Sequence, residues 1–194
     1  FNGNKNSKEE DGLIENYMNL TGCLNFYNSN LNNISVFANN TLCEDAVNVI
    51  NSKGSIEKIS INNTVSDAID FDFSNLDVDN VEVFNALNDC IDFSYGTYNI
   101  NKINLNKCGD KAISVGEKSK VNFNDITVKN SNIGVAAKDS SRVKIVNLDI
   151  KKTLMCLTAY RKKQEFSGAI IELKNSNCKE KDKMFVSKDS KIYF

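Results

Sequence analysis

Six aspartates at regular spacings are the side chains of this sequence best suited to chemistry. Three of them are 22 residues apart, and the others follow them by three or five residues: Asp45, Asp67, Asp70, Asp72, Asp89 and Asp92. Like charges held close together raise the pKa of one carboxyl group or recruit a cation. Carboxylate oxygens are ligands that Ca²⁺ prefers. The sequence requires no cofactor, and Ca²⁺ is the one candidate, with Asp70 and Asp92 as its ligands.

Basic side chains follow the aspartates along the chain, at Lys111, Lys138, Arg142 and Arg161. The sequence has no histidine, which excludes a histidine base, a histidine triad and a histidine metal site. A cation that neutralises a sugar carboxylate, together with a Lys or Arg base, suits β-elimination on an acidic polysaccharide. Lys111 and Arg142 are the candidate bases. A pair of carboxyl groups could instead hydrolyse a glycosidic bond.

The other outward polar residues near these positions are candidate substrate contacts: Asp67, Asp72, Asp89, Lys138, Tyr160 and Arg161. A purely structural role competes with this interpretation. Aspartate is common in tight turns, and outward aspartates discourage sheet aggregation. Outward aromatic residues are few in the same segments, which favours binding or a scaffold over catalysis.

A repeat of about 22 residues must position these side chains. One column of the repeat is always small: Cys23, Ala46, Ala68, Cys90, Ala112, Gly134 and Cys156. The next column is always aliphatic: Leu24, Val47, Ile69, Ile91, Ile113, Val135 and Leu157. Apolar residues also alternate with polar ones in short runs separated by Asn, Asp, Gly and Ser, a pattern typical of strands joined by turns.

A unit of this length cannot bury its own apolar face, so it must stack on copies of itself. Stacked units pair in parallel at about 4.8 Å. The sequence therefore predicts an all-β, right-handed parallel β-helix of about 7 rungs of ~22 residues. A leucine-rich repeat has a similar period, but its asparagine-centred leucine consensus is missing.

The ends of the chain depart from the repeat. We predict an N-terminal cap over residues 1–18 and the solenoid over residues 19–194. Within the solenoid we predict a loop insertion over residues 161–168 and an irregular last rung over residues 175–194. Because the chain opens with Phe1, we expect it to be a fragment of a larger protein.

Charge and cysteine usage add further expectations. Residues 1–97 carry 15 acidic and 4 basic side chains, and residues 98–194 carry 10 acidic and 20 basic ones. Cys23, Cys90 and Cys156 share the small inward column, which predicts buried free thiols. Cys108 and Cys178 lie off that column and are candidate surface thiols. The lack of CxxC spacing argues against a zinc site.

The segments "DAIDFDFSN", "DCIDFS", "DKAISVGEKS" and "IGVAAKDSS" resemble right-handed β-helix repeats of the pectate-lyase-like superfamily, over about residues 19–160. More narrowly, "CGDKAISVGEKS" with "AYRKKQEF" is similar to β-helix regions of bacterial surface proteins, some joined to CotH-like kinase domains. The resemblance implies polysaccharide ligands and a secreted or cell-surface location. The histidine and Asp-Asp motifs of polygalacturonases are missing here.

We therefore expect a non-catalytic β-helical module of a larger protein, which binds carbohydrate or serves as a surface scaffold. The alternative is a Ca²⁺-dependent polysaccharide lyase or epimerase acting on an acidic polysaccharide. The expected partner is a polysaccharide or another surface component, with no nucleic acid and no membrane insertion, since no apolar stretch approaches the roughly 18 residues that a spanning helix needs.

Overall fold

The computed structural model describes residues 20–178 and 180–194, and the predicted cap over residues 1–18 lies outside them. The chain is an all-β parallel solenoid with almost no helix and about eight turns, called rungs below. The predicted parallel β-helix is confirmed, with about one rung more than expected. No helix in the described part of the chain has the length and apolarity to cross a membrane.

The described residues contain eleven strands and one 3-10 turn, Lys181–Lys183, joined by turns and loops. The strands are β1 (Gly22–Tyr27), β2 (Asn30–Thr41), β3 (Asp45–Ile50), β4 (Lys53–Thr64), β5 (Asp67–Ala86), β6 (Ile91–Gly116), β7 (Lys120–Lys138), β8 (Arg142–Tyr160), β9 (Ile170–Ser176), β10 (Met184–Val186) and β11 (Lys191–Tyr193). The longest strands, β5 to β8, continue without interruption through the bends of the coil.

The 22-residue period places equivalent residues side by side on neighbouring rungs. Ile69 pairs with Ile91, and Asp70 pairs with Asp92. All strand pairs are parallel, and the main ladder runs in the order β1-β3-β5-β6-β7-β8-β9-β11. Each column of the sequence repeat therefore becomes a ladder along the solenoid axis.

The coil has three faces that carry the residues of interest. The first face is the outward surface of residues 45–50, 67–72, 89–94, 111–116, 133–138 and 155–160. The second face comprises residues 53–57, 75–79, 97–101, 120–124 and 142–146. The third face comprises residues 80–86 and the residues that pair with them on the other rungs, such as 102–108.

The core runs along the inside of the coil and is mostly aliphatic, with an aromatic centre. Phe71, Phe93 and Tyr98 are all fully buried. The rings of Phe71 and Phe93 stack with centroids 5.3 Å apart, and Tyr98 packs 4.9 Å from Phe93. Burial of side chains of this size stabilises the fold by about 1.5–3 kcal/mol each. This aromatic centre lies directly beneath the middle of the first face.

The prediction of free cysteines is wrong, because all six cysteines form disulfides. The pairs are Cys23–Cys43, Cys90–Cys108 and Cys156–Cys178, with Cα atoms 5.3, 5.4 and 6.1 Å apart. Each bond joins the small inward column to the end of the same rung, not to the next cysteine along the ladder. The predicted surface thiols at Cys108 and Cys178 are therefore buried sulfur atoms.

Candidate functional site

The central column of the first face forms a closely packed floor. Asn48, Asp70, Asp92, Ser114, Ala136 and Thr158 follow one another along it. Ser114 and Ala136 are inaccessible to solvent although they point away from the core, where Ile113 and Val115 lie. Larger side chains must therefore rise on both sides of the column and cover it. Polar groups on this floor are held in a partly dehydrated environment.

Asp70 and Asp72 project from the same side of β5 and form a carboxyl pair. Burial raises the pKa of Asp70 to about 9, and the nearby charges of Asp72, Asp45 and Asp92 act in the same direction. Burial also raises the pKa of Asp72, while a hydrogen bond from Asp70 opposes that shift. At neutral pH the pair therefore holds one proton, with the Asp70 carboxyl donating to the Asp72 carboxylate.

Asp92, the register partner of Asp70, is ion-paired with Lys138 at 3.6 Å. Lys138 is only 6% exposed, and its side chain lies across Gly116. A Cβ at Gly116 would approach Cε of Lys138 to 3.0 Å, so glycine provides the space for the lysine to reach back to Asp92. The ammonium group of Lys138 is thus used to balance a carboxylate of the protein itself.

Asp67 and Asp89 act mainly as links between rungs. Oδ1 of Asp67 accepts the backbone N–H of Asp89 at 2.8 Å, and Oδ1 of Asp89 accepts that of Lys111 at 2.8 Å. Burial raises the pKa of Asp89 to about 6. These contacts match the structural role that competed with the substrate-binding prediction for both residues.

Lys111 is surrounded by carboxylates. Its Nζ lies 3.4 Å from Asp89 and forms an ion pair with Asp110. Burial alone would lower the pKa of Lys111, but its contacts with Asp110 and Asp89 raise it above the ordinary lysine value. The side chain therefore stays protonated at neutral pH and is poorly suited to accept a proton.

The structure does not bring the remaining predicted residues to the carboxyl pair. Arg142 begins β8 on the second face, in the column of Thr97 and Lys120. Arg161 is paired with Asp189 at 3.5 Å, with both side chains about half exposed. These two arginines are therefore separated from Asp70 by a bend of the coil or by several rungs.

Tyr160 is aligned with Lys138 on the first face, at the end of β8. Its ring packs edge-on against Phe185 at 6.4 Å, and burial raises the pKa of its hydroxyl. Of the predicted substrate contacts, Asp72 thus belongs to the carboxyl pair, and Lys138 is ion-paired with the neighbouring Asp92. Tyr160 lies one rung beyond Lys138.

The donor set does not fit the Ca²⁺ site considered from the sequence. Asp92 is already ion-paired with Lys138 at 3.6 Å. In the part of the chain that the structure describes, no group of three Asp, Glu, Cys or His side chains is arranged to hold a metal ion. Ca²⁺ takes six to eight oxygen ligands, and the carboxyl groups of Asp70 and Asp92 could supply at most four of them.

Two aromatic residues, Phe73 and Tyr95, form an exposed shelf beside these carboxyl groups. Their rings stack with centroids 4.7 Å apart and planes 10° apart. Phe73 is 54% exposed, and Tyr95 is partly exposed. The shelf adjoins Asp72 and Ser94, which precede the two rings in the sequence and are register partners on the first face.

Both shelf residues have left-handed backbone conformations, with φ of 50° at Phe73 and 46° at Tyr95. The two preceding rungs have Asn28 and Asn51 at the corresponding turn, and asparagine tolerates this conformation well. For a bulky residue it costs about 1–2 kcal/mol. Such strain clusters at functional positions, and here it turns two aromatic rings toward solvent at a turn where asparagine would be less strained.

Tyr98 holds the shelf from below. Its hydroxyl group, inside the core, donates to the carbonyl oxygen of Tyr95 at 2.7 Å and accepts the N–H of Ser74 at 3.2 Å. The same hydroxyl lies 3.1 Å from the carbonyl oxygen of Phe71. One buried side chain therefore fixes the backbone on both sides of Phe73 and at Tyr95.

The segment 161–169 borders the shelf on its far side. Oδ1 of Asp139 accepts the N–H groups of Lys162 at 2.7 Å and Lys163 at 2.8 Å, which anchors this segment to the solenoid. The ring of Phe166 then packs edge-on against Tyr95 at 6.4 Å. The predicted insertion thus contributes a wall to the site.

A second charged group lies next to the shelf, at Glu117. Its carboxylate accepts from Lys163 at 2.6 Å and from the Ser94 hydroxyl at 2.8 Å. Burial would raise the pKa of Glu117, but hydrogen bonds from Lys163 and Ser94 lower it. The site thus contains one carboxyl pair sharing a proton and one ionised, well-anchored carboxylate.

Sequence reasoning missed Phe73, Glu117, Lys163 and Phe166 as site residues. A signal was present for the first of these, because Phe73 and Tyr95 interrupt a turn column that begins with asparagines. Phe166 and Lys163 lie outside the repeat, so periodicity could not place them.

No known protein family matches this chain, and neither a curated protein nor a solved structure is significantly similar to it.

Proposed function

We propose that this protein is a non-catalytic solenoid module that binds a glycan through the aromatic shelf and the adjoining polar groups. The single observation that carries the proposal is the stacked, exposed pair Phe73 and Tyr95, held in strained left-handed turns directly beside Asp72 and Ser94. Exposed stacked aromatic rings without a ligand gain little for stability, so a binding role accounts for the strain.

A sugar ring matches both parts of this surface. Its C–H face packs against an aromatic ring, and its hydroxyl groups hydrogen-bond to carboxylates and hydroxyls at the ring edge. Asp72 and Glu117 provide carboxylate acceptors, and Ser94 adds a hydroxyl group between them. Tyr98 and the anchored segment 161–169 hold the platform in place before the ligand arrives, which reduces the entropic cost of binding.

The charges favour an uncharged glycan over an acidic one. The ammonium groups of Lys111, Lys138 and Lys163 are each paired with a carboxylate of the protein. A polyuronate would have to displace those pairs and approach the acidic rungs around Asp72. The lyase alternative is also disfavoured, because Lys111 is held protonated and Arg142 lies on another face.

Two further features support a secreted or cell-surface location. Three disulfides in one domain are typical of proteins from oxidising compartments. The β-solenoid also agrees with the resemblance to pectate-lyase-like repeats and to β-helix regions of bacterial surface proteins, and that resemblance implies polysaccharide ligands. We therefore place the module outside the cytoplasm, as part of a glycan-binding surface protein.

Replacement of the shelf tests the proposal. In the double variant Phe73→Asn/Tyr95→Asn, each new side chain suits a left-handed turn, so relief of about 1–2 kcal/mol of strain per residue offsets the lost stacking. We expect a melting temperature that is unchanged or higher, together with binding that is roughly tenfold or more weaker, since about 1.4 kcal/mol corresponds to a factor of ten. Binding is measured by glycan array and by calorimetry with neutral oligosaccharides.

Phe84→Asn is the matched control, because Phe84 is an exposed phenylalanine on the third face. It should leave glycan binding unchanged. The proposal is wrong if the unmodified protein binds no neutral glycan, or if the shelf double variant binds as tightly as the unmodified protein.

A further inference from the structure

A groove that is separate from the aromatic shelf runs along the solenoid on the second face. It has a volume of about 450 Å³, and the chain at Val78, Ile100 and Phe123 forms its floor. Two ladders of exposed polar side chains form its walls, here called the asparagine groove: Asp77, Asn99 and Asn122 on one side, and Asp79, Asn101 and Asn124 on the other.

Both walls are ordered by hydrogen bonds that run in one direction. On one side Asn99 donates to Asp77 at 2.8 Å, and Asn122 donates to Asn99 at 2.8 Å. On the other side Asn101 donates to Asp79 at 2.7 Å, and Asn124 donates to Asn101 at 3.1 Å. The amide orientations are thus fixed before any ligand binds.

Each amide in the middle of a wall retains unused hydrogen-bonding capacity. A side-chain amide has two N–H donors and two acceptor lone pairs on its oxygen. In the ladder, Asn99 and Asn101 each use one donor and one lone pair. The groove therefore presents donors and acceptors on both sides, repeated at every rung, about 4.8 Å apart.

We propose that the asparagine groove binds a neutral polysaccharide strand lying along the solenoid axis. A hydroxyl group both donates and accepts, which matches the free N–H and lone pair of each amide. The four asparagines of the walls carry no ionised group, so charge contributes little to recognition along them. A sugar ring is about as long as the spacing between rungs, so successive sugars meet equivalent amides.

The floor of the groove excludes an extended peptide bound as an added strand. Such a peptide pairs with an open sheet edge. Here Val78 is already paired with Ile56 and Ile100, and Ile100 with Phe123. The backbone is therefore occupied on both sides, and only side chains face the ligand. This site lies on the second face, beyond the turns that carry Phe73 and Tyr95, and does not depend on the proposed function.

The first test is to follow the side-chain amide resonances of the wall asparagines by NMR. The probes are β-1,4-linked tetrasaccharides of glucose, mannose, xylose and N-acetylglucosamine, with tetragalacturonate as the charged comparison. We expect the amides of Asn99, Asn101, Asn122 and Asn124 to shift with at least one neutral tetrasaccharide, and to shift equally in Phe73→Asn/Tyr95→Asn. Shifts absent with all four, or seen only with tetragalacturonate, overturn the proposal.

The second test removes amides from both walls with Asn99→Ala/Asn101→Ala. We expect affinity at this site to fall roughly tenfold, because each lost hydrogen bond contributes a factor of a few. Asn147→Ala is the matched control. Asn147 is equally exposed, donates to Asp125 at 2.7 Å and accepts from Asn175 at 2.9 Å, but lies outside the groove.

An affinity for the neutral tetrasaccharide that is equal in the double variant and in Asn147→Ala also overturns the proposal. If Phe73→Asn/Tyr95→Asn loses glycan binding at the shelf while the shifts of the wall asparagines persist, the result supports a separate site in the asparagine groove.

Discussion

Asp70 differs from the other aspartates of the first face because its carboxyl group carries a proton at neutral pH. It lies over the aromatic centre of the core, where burial raises its pKa to about 9. Burial also raises the pKa values of Asp45 and Asp89, but only to about 6. The repeat alone identified Asp70 as an outward carboxyl. It could not reveal the protonation, because this depends on the depth of the floor and on contact with Asp72.

The protonated Asp70 predicts a specific pH dependence of stability. Its folded-state pKa of about 9 exceeds its ordinary value of 3.8, so the folded state binds more protons between these values. Stability is therefore greatest below about pH 4 for this group and is lost as the pH rises toward about 9. The slope approaches about 1.4 kcal/mol per pH unit.

Asp70→Asn retains a donor toward Asp72 without a titrating proton. We expect the free energy of unfolding of this variant to become nearly constant above about pH 7, because Asp45 and Asp89, whose pKa values are about 6, have largely titrated by then. The unmodified protein should continue to lose stability up to about pH 9. Denaturant unfolding of both proteins from pH 4 to 9 provides the measurement, and parallel curves above about pH 7 would contradict the assignment.

Phe73 shows what residue-level prediction missed. The sequence places it one residue after the strand pattern ends, where turn residues are expected. The relevant facts are its positive φ, its stack on Tyr95 and the support from the Tyr98 hydroxyl. Tyr98 itself stands in a column where Leu76 precedes it and Val121 and Val143 follow it. A tyrosine hydroxyl among aliphatic residues indicates a buried side chain that supports the neighbouring turns.

Strands were the most predictable elements, and disulfides were the least. Alternating apolar residues and the 22-residue period determine which strands stack and in which register. The disulfides depend instead on which residues of one rung lie opposite each other across the core. The cysteines of the small column all lie on different rungs. Their spacing therefore could not reveal that Cys90 pairs with Cys108, which lies outside that column on the same rung.

The central disulfide should contribute substantially to stability. Cys90 and Cys108 are 18 residues apart, and closing a loop of that size contributes about 3 kcal/mol by restricting the unfolded chain. We expect Cys90→Ala/Cys108→Ala to lower the free energy of unfolding by about that amount. Alanine at the Cys90 position is well accommodated, since Ala68 and Ala112 occupy the same column. Denaturant unfolding measures the change.

Glycan binding by the same double variant provides a control for its fold, because neither cysteine faces the shelf or the asparagine groove. Unchanged binding with reduced stability would support a purely structural role for the disulfide. A free energy of unfolding within about 0.5 kcal/mol of that of the unmodified protein would contradict the prediction.

At the scale of the whole molecule, charge is separated along the chain. Residues 1–97 have a net charge of −11, from 4 basic and 15 acidic side chains, and residues 98–194 have +10, from 20 basic and 10 acidic ones. Stacking of rungs in chain order converts this separation into a charge gradient along the solenoid axis. On the first face the two halves meet where Lys138 reaches back to Asp92.

Stability should also vary along the axis, because a rung in a solenoid contacts only its neighbours. β6 pairs with β5 on one side and with β7 on the other, and it carries Phe93 and Tyr98 of the aromatic centre. β10 and β11 have three residues each, and each pairs with one strand only. Amide hydrogen exchange should therefore be slowest in β6 and at least about a hundredfold faster in β10 and β11.

This gradient bears on function because both proposed binding surfaces use the central rungs. Phe73, Tyr95 and Asn101 belong to the part expected to open least, so opening of the last rung should leave them preorganised. Exchange measured residue by residue, with and without a neutral oligosaccharide, tests this expectation. Uniform protection from β5 to β11 would show that the solenoid opens as one cooperative unit, and the binding surfaces would then be no more stable than the terminal rung.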